Sequence, residues 1–251
     1  MSKSFAEAIE RAAYQNQSRL VLALDVKGPN AIERANRILE ETSSYICCVK
    51  VNKHLILPAG LEGLKEIVKR AHSLGLPAIA DCKVCDIGST NLVEVSYYFD
   101  IGFDAITAMP FPGWIDGLRD VFHLAKEGGK GVLMIVLMSH KGASEFFETI
   151  VFDEEYGVFD KLYRVFARRA VKWNADGVIV GATRPDAIRQ VKNIVEDKPI
   201  FSPGVVVQGG AVEEALKAGA SYVIVGRVIC ESANPADKAR ELRDITRQFS
   251  Q

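Results

Sequence analysis

Residues 81–86, with the sequence DCKVCD, place two carboxylates and an ammonium group directly after an apolar run. Because side chains alternate along a strand, Asp81 and Lys83 are predicted to share one face and Cys82 the other. With Lys50, which also ends an apolar run, and Asp86 they form a group without net charge, and mutual pairing would keep all four ionised. A fixed ammonium in such a group could stabilise a carbanion and then protonate it. The other interpretation is a structural salt-bridge network or a solvated loop.

A second set of residues has the composition of a phosphate site. The segments Ser202-Pro203-Gly204 and Gln208-Gly209-Gly210 flank three valines before a predicted helix, and Gly226-Arg227 ends another apolar run. Glycine amides at a helix N-terminus point at an anion, and arginine adds a planar guanidinium fork. Glycines alone more often mark tight turns, so the prediction of a phosphate site depends on both loops together with Arg227.

Short Val-, Ile- and Leu-rich segments alternate with longer segments of helical spacing. The eight predicted strands are Leu20–Val26, Ile46–Val51, Ala78–Lys83, Ala105–Ala108, Val132–Met138, Gly177–Gly181, Ile200–Ser202 and Tyr222–Gly226. The predicted helices are Ala31–Glu41, Leu61–Leu74, Ser89–Ile101, Ile115–Lys126, Phe159–Trp173, Pro185–Val195, Val212–Ala218 and Pro235–Phe249. Near-continuous apolar strands indicate a parallel sheet covered by helices. The pattern predicts an α/β protein, a (β/α)8 TIM barrel in a single domain over residues 1–251 with an extra N-terminal helix. An open doubly wound sheet is the alternative.

A TIM barrel carries its chemistry at the C-terminal ends of the strands and in the loops that follow. Asp25, Lys50 and Lys83 fall at the ends of the first three predicted strands, and Ser139 follows the fifth. The loops after the seventh and eighth strands are a recurrent phosphate location in this fold, which supports the assignment of Arg227. The polar residues are therefore expected to meet at one end of the barrel.

On these residues the sequence resembles the orotidine 5′-monophosphate decarboxylase family, from Leu22 to about Arg227. The family pattern DxKxxDIxxT is met by Asp81, Lys83, Asp86, Ile87 and Thr90. The other matching segments are Leu24-Asp25, Val49-Lys50-Val51, Met138-Ser139-His140, Gly181-Ala182-Thr183, Ser202-Pro203-Gly204, Gln208-Gly209-Gly210 and Gly226-Arg227. The resemblance implies decarboxylation of orotidine 5′-monophosphate to uridine 5′-monophosphate (UMP), the last step of de novo pyrimidine biosynthesis, without metal or cofactor.

The resemblance also implies roles for the residues around the reacting base. Lys83 would stabilise and protonate the C6 carbanion, and Asp81 would lie beside the substrate carboxylate. Asp25 and Lys50 would hold the ribose hydroxyls, with Lys50 also in the charged group. Ser139 would contact the pyrimidine.

The remaining implied roles concern the phosphate and the neighbouring subunit. Gln208 and Arg227, with the amides of Gly209, Gly210 and Gly226, would hold the phosphate, and the segment 203–209 would close over the substrate as a lid. The family works as a homodimer with shared sites. Asp86 and Thr90 would therefore reach the site of the neighbouring subunit.

The overall composition excludes several function classes. The chain has 31 Lys and Arg against 32 Asp and Glu, whereas a nucleic-acid binder normally has a basic surplus. Its longest apolar run, residues 131–138, is far shorter than the roughly 18 residues of a membrane span. The N-terminal segment lacks the apolar core of a signal peptide. We expect a cytoplasmic protein that binds a small molecule and neither nucleic acid nor membranes.

Three alternatives compete with a decarboxylase. Cys82 and Cys85 form a CxxC between a strand and a helix, a known redox placement, but the four histidines have no spacing that would complete a zinc site. Burial as small apolar residues explains all five cysteines better.

Similar sugar-phosphate barrels carry DxKxxD but bind Mg²⁺ through an acidic residue near the end of strand two, where this chain has Lys50. A noncatalytic phosphosugar-binding barrel would have no need for the whole charged group.

Other polar and aromatic residues receive simpler interpretations. His140 is expected to be a loop residue because Lys83 already takes the role of proton donor. Trp114 and Trp173 are expected to pack between helices rather than to stack on a base. The acidic run 153–155 is expected to be a solvated turn.

Overall fold

The computed structural model describes residues 4–204 and 210–249. Its strands are β1 Leu20–Ala23, β2 Cys48–Asn52, β3 Ala78–Val84, β4 Ala105–Ala108, β5 Gly131–Leu137, β6 Ile150–Asp153, β7 Val158–Lys161, β8 Gly177–Val180, β9 Ile200–Pro203 and β10 Tyr222–Val225. Its helices are α1 Phe5–Asn16, α2 Ala31–Thr42, α3 Lys53–Ser73, α4 Gly88–Asp100, α5 Arg119–Glu127, α6 Ala143–Phe147, α7 Leu162–Lys172, α8 Pro185–Val195, α9 Gly210–Lys217, α10 Arg227–Cys230 and α11 Pro235–Arg247. A 3₁₀ turn spans Ser43–Tyr45, and a wider π-type turn spans Trp114–Leu118.

Within the described ranges, eight strands close a parallel barrel in the order β1-β10-β9-β8-β5-β4-β3-β2. Leu22 of β1, for example, pairs with Val49 on one side and Val225 on the other. Every residue of β1, β5, β8 and β10 is buried, because the barrel interior covers one face and the helices cover the other. The predicted (β/α)8 TIM barrel is confirmed, and the open sheet is excluded.

The predicted N-terminal helix is also present, and it packs at the N-terminal end of the barrel. Ser4 and Glu7 form a capping box that starts α1. The Phe5 ring fills the space beside Gly131, the first residue of β5, where a Cβ would lie 2.5 Å from the ring. The C-terminal ends of the strands, where the polar residues lie, are at the opposite end.

Several helix boundaries differ from their predictions. The helix predicted from Leu61 begins at Lys53, and non-helical dihedral angles at Gly60 kink it. The helix predicted from Ile115 begins at Arg119, because the turn at Trp114–Leu118 contains a left-handed residue, Asp116. Pro58 and Gly60 usually end a helix but here only kink it, which is why the sequence predicted the later start at Leu61. No helix in the described part of the chain is long and apolar enough to cross a membrane.

The two tryptophans pack between helices, as predicted. Trp114 and Trp173 stack with their ring centroids 5.4 Å apart, and both rings contact Phe122 of α5. This aromatic cluster lies in the helical layer and takes no part in the polar end of the barrel.

An antiparallel hairpin of β6 and β7 lies outside the barrel, where the sequence pattern predicted a turn and the start of a helix at Phe159. The prediction that Asp153 lies in a solvated turn is wrong. Asp153 is buried and accepts hydrogen bonds from Arg168 (2.9 Å) and Arg169 (2.7 Å) of α7. Burial raises the pKa of Asp153, but the two guanidinium groups outweigh burial and hold the pKa below its usual value. These two buried ion pairs hold the hairpin against α7.

We predict that Asp153→Ala lowers the free energy of unfolding by about 2 kcal/mol, because the substitution removes two charge-assisted hydrogen bonds while Arg168 and Arg169 keep Asp160 and Glu155 as partners. Glu154→Ala, at the exposed neighbouring position, is the control and should leave stability unchanged. Because folding lowers the pKa of Asp153, the contribution should be present above pH of about 4 and lost as the pH falls through the folded-state value. Urea unfolding at pH 7 and at decreasing pH measures both effects. Equal urea midpoints for wild type and Asp153→Ala at pH 7 would refute the prediction.

Candidate active site

The centre of the site is Asp81 of β3, whose carboxylate lies between two ammonium groups. Lys50 of β2 places Nζ 2.5 Å from one carboxylate oxygen, and Lys83 places Nζ 2.6 Å from the other. Burial alone would raise the pKa of Asp81. The two lysine ammonium groups have the larger, opposite effect and hold this pKa well below its usual value. The Lys83 side chain is 32% exposed against 7% for Lys50, so Lys83 is the member that faces the open end of the barrel. The predicted meeting of these three residues is observed.

The backbone at Lys83 is unusual for a strand residue. Lys83 has φ of 55°, a left-handed conformation that is costly for a lysine. The pairing of β3 with β4 is irregular between Ala80 and Val84, which is where this residue lies. Cys82 is buried on the outer side, as predicted, while Asp81 and Lys83 turn inward. Strained residues at a cleft are a common feature of functional sites.

Two adjoining cavities open beside this group. A cavity of about 170 Å³ is lined by both lysines, Asp81 and apolar residues of the barrel mouth, among them Ile135, Met138 and Ile179. A larger cavity of about 620 Å³ has lining residues that include Asp25, Lys50, Ser139, Pro203, Gly204, Gly226 and Arg227. Because Lys50, Ser139 and Pro203 line both cavities, the charged group and Arg227 belong to one cleft.

The larger cavity contains the predicted ribose and phosphate residues. Asp25 accepts a hydrogen bond from Asn52, the last residue of β2. Gly226 lies against Asp25, and a Cβ there would be 2.6 Å from the carboxylate. Arg227 is exposed beside them. Gly226 therefore leaves room for the Asp25 carboxylate. The sequence pattern had indicated only a role for its amide.

Ser139 lies between two glycines at the junction of the cavities. A Cβ at Gly181 would be 2.6 Å from Ser139 Cα, and a Cβ at Gly204 would be 2.6 Å from Ser139 Cβ. Gly204 also has φ of 89°, which favours glycine. These contacts hold the Ser139 loop close to β8 and β9. Gln208 and Gly209 lie outside the described residues, and α9 begins at Gly210.

Asp86 and Thr90 lie apart from the charged group. Both are exposed, Asp86 on the turn after β3 and Thr90 in the first turn of α4. The Asp86 carboxylate accepts the Ile87 amide, and its backbone is held by the buried side chain of Asn91. The prediction that all four charges pair is therefore wrong within one chain, because the turn directs Asp86 outward.

Three residues of the site carried no functional prediction. Thr107 is a buried polar residue in the otherwise apolar β4, and its hydroxyl contacts both Asp81 and the Lys83 backbone. Asn52 supports Asp25, and Asn91 shapes the turn that carries Asp86. A polar residue within an apolar strand, as in Ala105–Ala108, is the kind of signal that would have identified Thr107.

The cysteines behave as structural residues, with one exception. Four of the five are buried, but Cys85 is exposed, so its predicted burial is wrong. Burial raises the pKa of Cys82 to about 12. The pKa of Cys85 is raised by burial and by Asp86. A redox CxxC needs a thiol with a lowered pKa, and neither of these has one.

His140 is an exposed turn residue, as predicted. Among the described residues, no group of three or more His, Cys, Asp and Glu side chains is arranged to hold a metal ion.

Comparison with known proteins matches residues 18–242 to the model of the orotidine 5′-phosphate decarboxylase / HUMPS family. The chain is 40% identical to the orotidine 5′-phosphate decarboxylase of Thermococcus kodakarensis, over 90% of this chain and 95% of that protein. It is 37% identical to the enzyme of Methanococcoides burtonii, over 92% of this chain and 98% of the relative. The structure of the Methanocaldococcus jannaschii enzyme, complexed with the inhibitor BMP, superposes with a TM-score of 0.76 at 33% identity and covers 90% of this chain and 97% of that one. The chain belongs to the orotidine 5′-phosphate decarboxylase / HUMPS family.

Proposed function

We propose that the chain decarboxylates orotidine 5′-monophosphate to UMP and that Lys83 is the proton donor. The observation that carries this proposal is the Asp81 carboxylate held between Lys50 and Lys83 at the mouth of the barrel. The proposal agrees with the activity named for relatives that span nearly the whole chain.

The lining of the cleft suggests how the substrate binds. The pyrimidine would occupy the smaller cavity, where Ile135, Met138 and Ile179 offer apolar surface and Ser139 offers a hydroxyl. The ribose hydroxyls would meet Asp25 and Lys50, and the phosphate would extend toward Arg227. Pro203, Gly204, Gln208, Gly209 and Gly210 would form the phosphate loop after β9, and Gly226, which follows β10, would add its amide. In this order C6 of the pyrimidine would lie beside Lys83.

The chemical step breaks the bond between C6 and the carboxylate carbon, and the electron pair stays on C6 as CO₂ leaves. The Lys83 ammonium stabilises this carbanion because it is already fixed in place and is partly shielded from water. One of its protons then moves to C6, and Lys83 is left neutral until solvent returns a proton. Asp81, kept ionised by its lysine neighbours, holds Lys83 and faces the departing carboxylate.

Lys50 favours a decarboxylase over the similar Mg²⁺-dependent sugar-phosphate barrels. Its ammonium lies 2.5 Å from Asp81, in the place beside that carboxylate where a divalent cation would have to bind. An ammonium and a metal ion compete for one carboxylate because both need its negative charge. We therefore assign the chain to the decarboxylase activity within its family.

We also propose that the enzyme works as a homodimer in which Asp86 and Thr90 reach the partner's cleft. Ile87 and Ile115 are 65% and 71% exposed next to these residues. They lie on adjoining segments, because a Cβ at Gly88 would be 3.0 Å from the backbone of the Trp114–Leu118 turn. Exposed apolar surface beside outward-facing polar side chains is the pattern of a subunit interface.

The activity is tested with purified protein treated with EDTA. Decarboxylation is followed as the loss of the orotate chromophore of orotidine 5′-monophosphate. We expect the same rate with and without EDTA treatment. The parallel assay uses a pentulose phosphate with formaldehyde and Mg²⁺, the substrates of an aldol-type sugar-phosphate synthase, and should show no reaction. Turnover that disappears with EDTA, or activity only in the second assay, would refute the proposal.

We predict that Gly226→Ala raises KM for orotidine 5′-monophosphate by about 100-fold, because its methyl group would displace Asp25 by up to an ångström. Gly128→Ala is the matched control, since Gly128 lies at the end of α5 with an ordinary φ of −83°. Steady-state kinetics of both variants measure the effect. An unchanged KM in Gly226→Ala would refute the prediction.

A further inference from the structure

Thr107 makes two hydrogen bonds inside the barrel that connect the key residues of the site. Its hydroxyl accepts the backbone N–H of Lys83 at 3.0 Å and donates to the Asp81 carboxylate at 3.0 Å. Thr107 is fully buried and is not among the residues that line the two cavities. It therefore acts on the site through Asp81 and Lys83.

The strand register explains why Lys83 needs this partner. Ala80 pairs with Ile106 and Val84 pairs with Ala108, so three residues of β3 face Thr107 alone. In this irregular stretch the Lys83 N–H donates to the Thr107 hydroxyl, and a buried N–H without an acceptor is costly. The Thr107 hydroxyl therefore satisfies a backbone donor at the point where the pairing of β3 with β4 is irregular.

We infer that Thr107 is a positioning residue for the decarboxylation, and this inference rests on the proposed function. Its accepted bond holds Lys83 in the left-handed conformation that turns the side chain back toward Asp81, two residues earlier. Its donated bond fixes the oxygen of Asp81 that also receives the Lys83 ammonium, while Lys50 holds the other oxygen. The Thr107 hydroxyl thus fixes both the backbone conformation of Lys83 and the position of the Asp81 carboxylate that pairs with it.

Substitutions that differ only in the hydroxyl test this role. Thr107→Val replaces the hydroxyl with a methyl group and keeps the shape of the side chain. Thr107→Ser and Thr107→Ala both lack the methyl group of threonine, and only Ser keeps the hydroxyl. We expect kcat to fall about 100-fold in the Val and Ala variants and to stay within about threefold of wild type in Ser. KM should change by less than about threefold in all three, because the groups that hold ribose and phosphate are untouched.

Thermal unfolding monitors the folding of each variant, and the Ser and Ala pair decides the outcome if Val is too unstable to assay. A kcat near wild type in Val or Ala would overturn the inference. Equal loss of kcat in Ser and Ala would overturn it as well, because the methyl group would then be responsible.

Crystal structures of the Ser and Ala variants give a readout that does not depend on turnover. We expect Lys83 to keep its positive φ in Ser and to lose it, with its contact to Asp81, in Ala. An unchanged Lys83 in the Ala variant would overturn the inference. Absence of activity in the wild-type protein would instead refute the proposed function, and these two structures would then decide the role of Thr107.

Discussion

Lys83→Ala should lower kcat for orotidine 5′-monophosphate by at least about 10⁴-fold, the largest effect of any single substitution. The variant loses the fixed charge that stabilises the carbanion and also the proton that ends the reaction. Lys83→Arg should be nearly as inactive, because a guanidinium keeps the charge but does not release a proton at neutral pH. Loss of the orotate chromophore in steady-state assays measures both variants.

Lys69→Ala is the matched control for this experiment. Lys69 is an exposed lysine of α3, remote in sequence from the charged group, and its removal should leave kcat unchanged. Lys83→Ala must retain a cooperative thermal transition so that inactivity is not loss of folding. A folded Lys83→Ala variant with a kcat near that of wild type would contradict the proposed role of Lys83.

Mixing inactive Lys83→Ala and Asp86→Ala subunits should restore activity if two chains share each site. Random exchange makes half of the dimers mixed, and each mixed dimer has one site with both residues intact, so about a quarter of wild-type activity should return. The physical reason is the outward position of Asp86, which within one chain stays apart from the Asp81 group. Activity is measured after brief unfolding and refolding of the mixed chains.

A second mixture controls for nonspecific recovery. The second mixture combines Lys83→Ala subunits with Asp81→Ala subunits. Asp81 and Lys83 belong to the same site of the same chain, so each site of a mixed dimer lacks one of them. Activity should return in the first mixture and not in the second. No recovery in the first mixture, with mixed dimers demonstrated by differential tagging, would show that Asp86 serves its own chain.

The barrel and the centre of the site could be predicted because they depend on local patterns. Strands buried on both faces need continuous apolar runs, which the sequence displays in β1, β5, β8 and β10. The ends of such strands meet at one end of a barrel, so Lys50, Asp81 and Lys83 could be placed together before any distance was known. The cytoplasmic location and the single-domain organisation stay predictions from the sequence.

The features that were missed depend on tertiary contacts. The left-handed Lys83 and its bond to Thr107 arise from the irregular pairing of β3 with β4, which no propensity encodes. The hairpin of β6 and β7 was predicted partly as a helix because its stability comes from Asp153, whose arginine partners lie on the next helix. The outward turn at Asp86 depends in the same way on the buried Asn91.

The most direct test of Lys83 as the proton donor is exchange of the C6 hydrogen of UMP in D₂O, followed by proton NMR. The group that protonates C6 in the forward reaction must also remove that proton in reverse, so exchange requires no CO₂. Wild-type enzyme saturated with UMP should exchange the C6 hydrogen for deuterium, and Lys83→Ala, also saturated, should not. Exchange in Lys83→Ala at the wild-type rate would contradict the assignment of the proton donor.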